Sequence, residues 1–225
     1  MGWRHGAVIT TVLVSIVLVA APALADFAGS LTSADGGIDG EQYWIDPGPT
    51  SISWAVEWQP VANAWHYSYT LTVPRYAISH LIIEVSDDFK LADIWNIEGQ
   101  HTEISLGTFD GGPGNPNMPG YIYGIKLDGY SSDNGDGLTA NLSFHSRRNP
   151  VWGDFYAKCG GGAAQNEAWN MGLTAFEDDD PLDPPQSGSI ANHILTPNGY
   201  IPEPATTALF AVGLAGLAAR LRRRK

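Results

Sequence analysis

Two acidic turns in the sequence have residue types that bind calcium. The first, Asp133-Asn134-Gly135-Asp136-Gly137, places Asp133, Asn134 and Asp136 on one turn, and the second is the acidic run 177–180. Calcium takes six to eight oxygen ligands, and loops often supply them from Asp and Asn side chains. Neither stretch has the twelve-residue EF-hand pattern, and Asn-Gly and Asp-Gly are also ordinary hairpin turns. The sequence therefore predicts Asp133, Asn134 and Asp136 as candidate calcium ligands, with a plain turn as the alternative, and indicates no other cofactor.

Three further acids, Glu57, Glu84 and Asp154, lie among strand-like residues. A glycosidase needs only two carboxylates facing each other across a cleft, about 5–10 Å apart, and these can come from anywhere in a sequence. The sequence contains no G-x-S-x-G nucleophile elbow, no H-E-x-x-H helix and no phosphate-binding G-x-x-x-x-G-K loop. A polysaccharide hydrolase is thus the enzymatic alternative, while solvent-facing acids at strand edges are the simpler interpretation.

Cys159 is the single cysteine, and it precedes three glycines. A catalytic thiol needs a nearby base, which His145 or His193 would have to supply, and nothing in their spacing supports such a pair. A disulfide between two chains is a second option for an exported protein. A buried thiol with no chemical role is the interpretation that the sequence favours.

Aromatic residues provide the candidate ligand contacts. Trp54 and Trp58 alternate with Val56 on one face of a predicted strand, which is typical of a core. Tyr43 and Trp44 lie in a less regular region and are expected to be exposed, where their rings would stack against sugars. The sequence therefore predicts Tyr43 and Trp44 as candidate polysaccharide contacts, and most other Trp residues as core.

Composition limits the class of protein. The chain has 225 residues, of which 44% are hydrophobic and 16% charged, enough for one domain with a real core. Its 12 basic and 24 acidic residues give a net charge of −12, which argues against a nucleic-acid partner. A single Cys excludes an internal disulfide framework and a zinc cluster of cysteines.

The elements that must position these groups are short strands. Residues 65–73 alternate between apolar odd positions and polar even positions, and residues 138–145 alternate in the same way. This period of two predicts half-buried strands. Further strands are predicted at residues 51–58, 81–85, 121–127, 151–156, 169–176 and 191–195, and long loops at 110–120 and 177–189. The pattern predicts an all-β chain, a single antiparallel β-sandwich of the jelly-roll or immunoglobulin-like kind, with barrel closure as the alternative.

The N-terminus has the order of a secretory signal peptide. Arg4 precedes a mostly apolar run of 15 residues, 7–21, and Ala23 and Ala25 are the small residues that a signal peptidase reads. The run is shorter than the roughly 20 residues that span a bilayer. We therefore expect residues 1–25 to be a signal peptide, cut before Asp26, with a permanent anchor as the alternative.

The C-terminus has three parts in order. Pro202-Glu203-Pro204 comes first, residues 205–219 are uncharged and mostly apolar, and residues 220–225 are basic. This order resembles the PEP-CTERM sorting signal of Gram-negative bacteria, although Ile201 stands where many members have Val. The resemblance implies recognition of Pro202, Glu203 and Pro204 by exosortase, a membrane cysteine protease-transpeptidase. It also implies transient membrane insertion through a helix at 205–219, then release or transfer to the cell surface, often with extracellular polysaccharide. An ordinary tail anchor is the alternative.

One internal segment also resembles this group of proteins. Residues 151–158, Val-Trp-Gly-Asp-Phe-Tyr-Ala-Lys, are similar to a segment that recurs in exported PEP-CTERM sandwich proteins of uncharacterised activity. Gly153 inside a predicted strand indicates a bulge or a close backbone approach, and Trp152 and Phe155 are expected to pack rather than catalyse.

Together these features predict residues 1–25 as signal peptide, 26–198 as the sandwich domain and 199–225 as the sorting signal. Residues 26–200 contain six basic and 23 acidic residues, so the exported part carries −17. Such a domain is soluble and could attract divalent cations or basic partners. The expected partners are signal peptidase, exosortase and an extracellular polysaccharide. The expected function is a non-enzymatic surface or extracellular-matrix domain that binds polysaccharide or is structural, and the alternative is a secreted polysaccharide hydrolase with paired carboxylates.

Overall fold

A computed structural model describes residues 26–46, 48–130, 138–160, 166–176 and 179–199. These residues form strands and three single-turn 3₁₀ helices, at Ser33–Asp35, Gln42–Trp44 and Leu91–Asp93. The strands, in chain order, are β1 (Phe27–Thr32), β2 (Ile38–Gly40), β3 (Ser51–Gln59), β4 (Ala64–Thr72), β5 (Ile78–Glu84), β6 (Ile94–Gly99), β7 (Glu103–Phe109), β8 (Ile122–Asp128), β9 (Thr139–Ser146), β10 (Val151–Gly153), β11 (Phe155–Cys159), β12 (Glu167–Asn170) and β13 (Ile194–Thr196).

Every strand pairing is antiparallel, and the strands form two main sheets. One sheet has the order β1-β3-β4-β9-β6, and the other has the order β2-β12-β11-β5-β8-β7. β10 and β13 form a separate two-stranded ribbon. The prediction of an antiparallel all-β sandwich is therefore confirmed.

The core lies between the two sheets because each sheet has one apolar face. Along β4 the buried positions are Trp65, Tyr67, Tyr69 and Leu71, while the residues between them are partly or fully exposed. β9 repeats this pattern with Ala140, Leu142 and Phe144. The tyrosines also join elements, since Tyr69 Oη donates a hydrogen bond to Leu195 O at 2.9 Å. Alternation in the sequence thus predicted both the strands and the face that each one buries.

Two predicted strands are shorter than expected. The strand predicted at 169–176 is β12, which ends at Asn170 and is buried along its whole length. The strand predicted at 191–195 begins only at Ile194, because Ala191 and Asn192 have left-handed backbone with φ of 47° and 63°. The strand predicted at 151–156 is divided at Asp154 into β10 and β11.

Gly153 stands at that division for a steric reason. A Cβ at Gly153 would lie 2.7 Å from Thr196 Oγ1 and 3.1 Å from Glu84 Oε2. Any side chain at Gly153 would therefore have to displace Thr196, which agrees with the close approach that the sequence indicated. Trp152, which precedes Gly153, and Phe155, which follows Asp154, are both buried in the core.

A second, smaller apolar cluster covers the outer face of the six-stranded sheet. Ile82, Tyr156 and Trp169 point outward from it and pack against Met118 and Ile122. The irregular loop 110–120 is fixed over this face because Tyr156 Oη donates a hydrogen bond to Pro116 O at 2.7 Å. None of the described residues belongs to a helix that is long and apolar enough to cross a membrane. The predicted helix 205–219 lies outside the described residues.

Candidate functional site

The division between β10 and β11 places a carboxylate inside the protein. Asp154 is 3% exposed, and its backbone N–H donates a hydrogen bond to Glu84 Oε2 at 2.7 Å. Its Oδ1 accepts a hydrogen bond from Asn170 Nδ2 at 2.5 Å, while Asn170 Oδ1 accepts one from Phe155 N at 2.9 Å. The chain changes from the ribbon to the six-stranded sheet at this residue, so these contacts fix the direction of the Asp154 side chain.

His193 faces Asp154 from the residue before β13. Its Nε2 lies 3.5 Å from Asp154 Oδ1 and 3.7 Å from Asp180 Oδ1, and its side chain is 2% exposed. Its Nδ1 lies 3.3 Å from Ile190 O, and since a carbonyl only accepts, this contact is a hydrogen bond in the tautomer that has its proton on Nδ1. Gly172 packs against the ring, and a Cβ there would lie 2.4 Å from Cε1. Glycine is thus required for the imidazole to occupy this position.

Asp179 and Asp180 complete a group that we call the Asp–His cluster: Asp154, Asp179, Asp180 and His193. One ligand atom from each of the four residues lies within 4.8 Å of the other three. Asp179 is held by the N–H of Thr174, which donates to its Oδ2 at 2.7 Å. The cluster therefore joins the β10–β11 junction, Asp179 and Asp180 with their neighbour Thr174, and the start of β13.

Burial and mutual repulsion raise the pKa of two carboxylates in the cluster, Asp154 and Asp180. Burial, and after it the charges of Asp180 and Asp179, raises the pKa of Asp154 to about 8. Burial and the charge of Asp179 raise the pKa of Asp180 to about 7. The neighbouring Glu84 has a pKa well above its usual range, because it is buried and faces Asp180 and Asp154. Burial lowers the pKa of His193, so its neutral form is favoured.

Cationic side chains are missing around the cluster in the described part of the chain. No Lys or Arg there forms an ion pair with Asp154, Asp179 or Asp180. Buried carboxylates normally pair with a cation or bind a metal, because unpaired buried charge is costly. This arrangement of three carboxylates and one imidazole has the donor atoms of a divalent-metal site.

The structure brings together only some of the acids named from the sequence. Glu84 and Asp154 are neighbours, whereas Glu57 lies on the exposed side of β3, opposite His66. The sequence also indicated the acidic run 177–180, of which Asp179 and Asp180 belong to the cluster. From the sequence alone, His193 was a candidate only as a base for Cys159. Nothing in the sequence connected His193 with Asp154, because the fold alone brings these positions together.

Cys159 is 2% exposed, and its Sγ accepts a hydrogen bond from Asn166 N at 3.3 Å. Its two candidate bases have other neighbours: His145 stacks on Trp95 and lies near His66, and His193 belongs to the Asp–His cluster. The buried-thiol interpretation agrees with these contacts.

Other predicted residues lie outside the described part of the chain. Asp133, Asn134 and Asp136 fall in the segment 131–137, so calcium binding there stays a prediction. Ala23 and Ala25 precede the described residues, and Pro202, Glu203 and Pro204 follow them. Asp26 is described, and its Oδ1 accepts a hydrogen bond from Trp58 N at 3.2 Å.

The predicted exposure of Trp44 is wrong. Trp44 is fully buried, and its Nε1 donates hydrogen bonds to Arg75 O at 2.6 Å and to Tyr76 O at 3.3 Å. It is buried because its indole fills the core beside the turn that follows β4. Tyr43 is 39% exposed, as expected, and contacts a second exposed ring, Tyr76, across 5.4 Å between ring centroids. The Arg75 guanidinium lies 5.0 Å from the Tyr43 ring and 5.1 Å from the Tyr76 ring. We call Tyr43, Arg75 and Tyr76 the tyrosine surface.

Comparison with known proteins identifies the C-terminal end. The family model of the PEP-CTERM protein-sorting motif matches residues 201–224. No curated protein and no solved structure matches the chain. The motif marks an exported protein that is targeted to exosortase, its processing partner, and it implies a cell-surface or extracellular location. The chain therefore carries a PEP-CTERM sorting motif at its C-terminal end, after a β-sandwich domain.

Proposed function

We propose that residues 26–198 form a non-enzymatic domain of the cell surface or extracellular matrix that binds polysaccharide through the tyrosine surface. In this proposal signal peptidase removes residues 1–25, and the segment 205–219 enters the membrane transiently before exosortase processes the chain. The observation that carries the proposal is the exposed pair Tyr43 and Tyr76 with Arg75 between them.

The chemistry of this surface suits a sugar chain. Tyr43 and Tyr76 each expose 39% of their surface, and flat aromatic rings present apolar faces against which sugar rings stack. The Arg75 guanidinium offers several N–H donors, which can bind hydroxyl oxygens and, with higher affinity, the carboxylates of acidic sugars. The net charge of the domain repels strongly anionic polymers, so neutral or weakly acidic sugar chains suit this surface best, with Arg75 as their local polar contact.

The surface is also held in a fixed shape. Trp44 Nε1 donates to the carbonyl oxygens of Arg75 and Tyr76, and Tyr43 N donates to Asn166 Oδ1 at 2.9 Å. Tyr76 has a φ of 60° and Gln42 a φ of 52°, a conformation that non-glycine residues rarely adopt. Such strain persists where the surrounding structure enforces it, and it is concentrated at functional sites. Because the two rings are already fixed in the free protein, they lose little conformational entropy on binding, and this favours affinity.

The burial of the acids supports a non-enzymatic role over the hydrolase alternative. Glycosidase carboxylates flank a bond of the substrate in an open cleft. Asp154 exposes only 4% of its side chain, and Glu84 is hydrogen bonded to the Asp154 backbone. Glu84 lies against Asp154, and Asp154 lies against His193, inside the protein where a sugar chain does not reach.

The test uses the full chain, purified in detergent, and the extracellular polysaccharide of the producing bacterium. Co-sedimentation and the release of reducing ends are followed together. We expect binding without release, and the double change Tyr43→Ala/Tyr76→Ala should weaken binding by about tenfold or more, since each stacked ring contributes on the order of 1 kcal/mol.

Phe176→Ala is the matched control, because Phe176 is an aromatic residue that is 78% exposed and lies outside the tyrosine surface. It should leave binding unchanged. Release of reducing ends would replace the proposal with the hydrolase alternative. Binding that the double change does not weaken would reject the tyrosine surface, and absence of binding would leave a purely structural role.

A further inference from the structure

We propose that the Asp–His cluster is a binding site for one divalent cation of the Mn²⁺ or Zn²⁺ class, with Asp154, Asp179, Asp180 and His193 as ligands. The site is independent of the tyrosine surface, so either proposal can fail without the other.

The first argument is the direction of a lone pair. In the neutral tautomer whose Nδ1 donates to Ile190 O, the ring has its lone pair at Nε2. This atom is buried and has no hydrogen-bond partner among the described residues. It faces Asp154 Oδ1 at 3.5 Å and Asp180 Oδ1 at 3.7 Å, and neither oxygen can donate when ionised. Three acceptors directed at one point need either a shared proton or a cation between them.

The second argument is that a cation is the missing partner of the carboxylates as well. Asp180 Oδ1 is also buried without a hydrogen-bond partner in the described structure. Three carboxylates would carry a charge of −3, and a divalent ion would neutralise most of it. Protonation of the acids is the competing solution, and it predicts no metal uptake.

The donor set decides the class of ion. Calcium and magnesium prefer all-oxygen ligand sets, whereas imidazole suits the later divalent metals. Zinc is commonly bound by His together with Asp or Glu, and manganese accepts carboxylates readily. One imidazole with three carboxylates therefore favours Mn²⁺ or Zn²⁺ over Ca²⁺. This site is also distinct from the calcium turn that the sequence predicts at 133–136.

The third argument is that a second group orients each of three ligands. Asn170 donates to Asp154, Thr174 N donates to Asp179, and His193 donates its other ring nitrogen to Ile190 O. Metal-binding histidines commonly have this backbone-carbonyl partner, which fixes the tautomer that leaves Nε2 available. Gly172 leaves the space in which the ring lies flat.

The experiment uses the full chain without a polyhistidine tag, stripped with EDTA and returned to metal-free buffer at pH 8. Titration calorimetry and elemental analysis after gel filtration measure uptake of MnCl₂, ZnCl₂ and CaCl₂. We expect one equivalent of Mn²⁺ or Zn²⁺ per chain, and an unfolding temperature that rises by roughly 5–10 °C at a hundredfold excess over Kd. Asp180→Asn and His193→Gln should each weaken binding by at least ~10-fold.

The matched controls are Asp128→Asn and His80→Gln, because His80 and Asp128 form a second histidine–carboxylate pair, at 3.8 Å, that Lys126 already neutralises. Both controls should bind metal like the natural chain. Metal-free Asp180→Asn should unfold at or above the temperature of the metal-free natural chain, because it removes a repelling charge, and this separates lost binding from lost folding. Absence of stoichiometric uptake, uptake of calcium alone, or uptake that Asp180→Asn and His193→Gln leave intact would overturn the proposal.

Discussion

Burial of the His80 ring makes the stability of the fold depend on pH. Its residue surface is 3% exposed, on the outer face of the six-stranded sheet, and its ring stacks on Tyr156. Burial, and after it the charge of Lys126, lowers the pKa of His80 to about 4. The negative charge of Asp128 raises the pKa of His80, but this effect is smaller than those of burial and of Lys126. The folded chain therefore keeps His80 neutral at a pH where an exposed histidine is charged.

We expect His80 to make the fold less stable in mild acid. Between pH 6.5 and about 4 the unfolded chain binds a proton at this residue and the folded chain does not, so the free energy of unfolding falls as the pH drops. His80→Gln removes this contribution. Urea unfolding at pH 7.5 and at pH 4.5 should show that the variant loses less stability than the natural chain, by up to about 3 kcal/mol. Equal losses in the two chains would contradict the assignment.

At the scale of elements, a buried arginine connects the two sheets. Arg148 follows β9, and its guanidinium binds Asp88 at 2.9 Å and Asp93 at 2.8 Å. Both acids lie in the crossover between β5 of one sheet and β6 of the other. The guanidinium also lies 5.6 Å from the ring centroid of Phe89. One side chain thus fixes a long connection that contains only a single 3₁₀ turn.

Loss of this connection should destabilise the whole domain. Arg148→Met removes the ion-pair partner of Asp93, which is 19% exposed and keeps its hydrogen bond from Lys90 N, so the cost should be about 2–3 kcal/mol, below that of a fully buried pair. Arg147→Met is the control, because Arg147 is exposed and rests on Trp95, and it should cost under about 1 kcal/mol. Chemical denaturation at pH 7 measures both. Similar losses in the two variants would reject the connecting role of Arg148.

The strands that the sequence predicts best have one buried face and one solvent-exposed face. β4 and β9 alternate cleanly, and their predicted positions agree closely with the structure. β6 was not predicted, because its pairing shifts register between Trp95 and Glu98, where Asn96 has a φ of 50°. β12 is buried at all four positions although half of its sequence, Glu-Ala-Trp-Asn, is polar, so neither alternation nor an apolar run marks it as a strand.

The candidate site was predictable only in part. Glu84 and Asp154 attract attention because they are acids among apolar strand residues. The contribution of His193 depends on the pairing of β13 with β10, a contact between residues about 40 positions apart in the sequence. No local pattern contains that information. The exposure of Trp44 was wrongly predicted for a related reason, since an irregular segment can still have its largest side chain in the core.

At the scale of the whole molecule, the sorting motif determines where the domain is delivered. The motif at 201–224 makes the chain an exosortase target, and we expect Pro202-Glu203-Pro204 to be the residues that exosortase recognises. We expect Glu203→Ala to prevent processing, so that the chain keeps its basic C-terminal residues and stays with the membrane fraction. Mass spectrometry of membrane and extracellular fractions from the producing bacterium measures this.

Asp183→Ala is the control for that experiment, since Asp183 is an exposed acid outside the motif. It should be processed like the natural chain. A Glu203→Ala chain that is shortened and released normally would contradict recognition at this residue.

The end of the domain determines how closely it would be held to a surface. β13 pairs with β10, and Gly199 N still donates to Asn149 O at 2.9 Å, so the chain is held against the sandwich up to that residue. Pro202 is only three residues further, which is at most about 10 Å of extended chain. Whichever bond of the motif is cut, the attached domain has almost no tether. A domain that is joined to a surface at this motif would therefore lie within a few residues of its attachment point, with little freedom to move away from that surface.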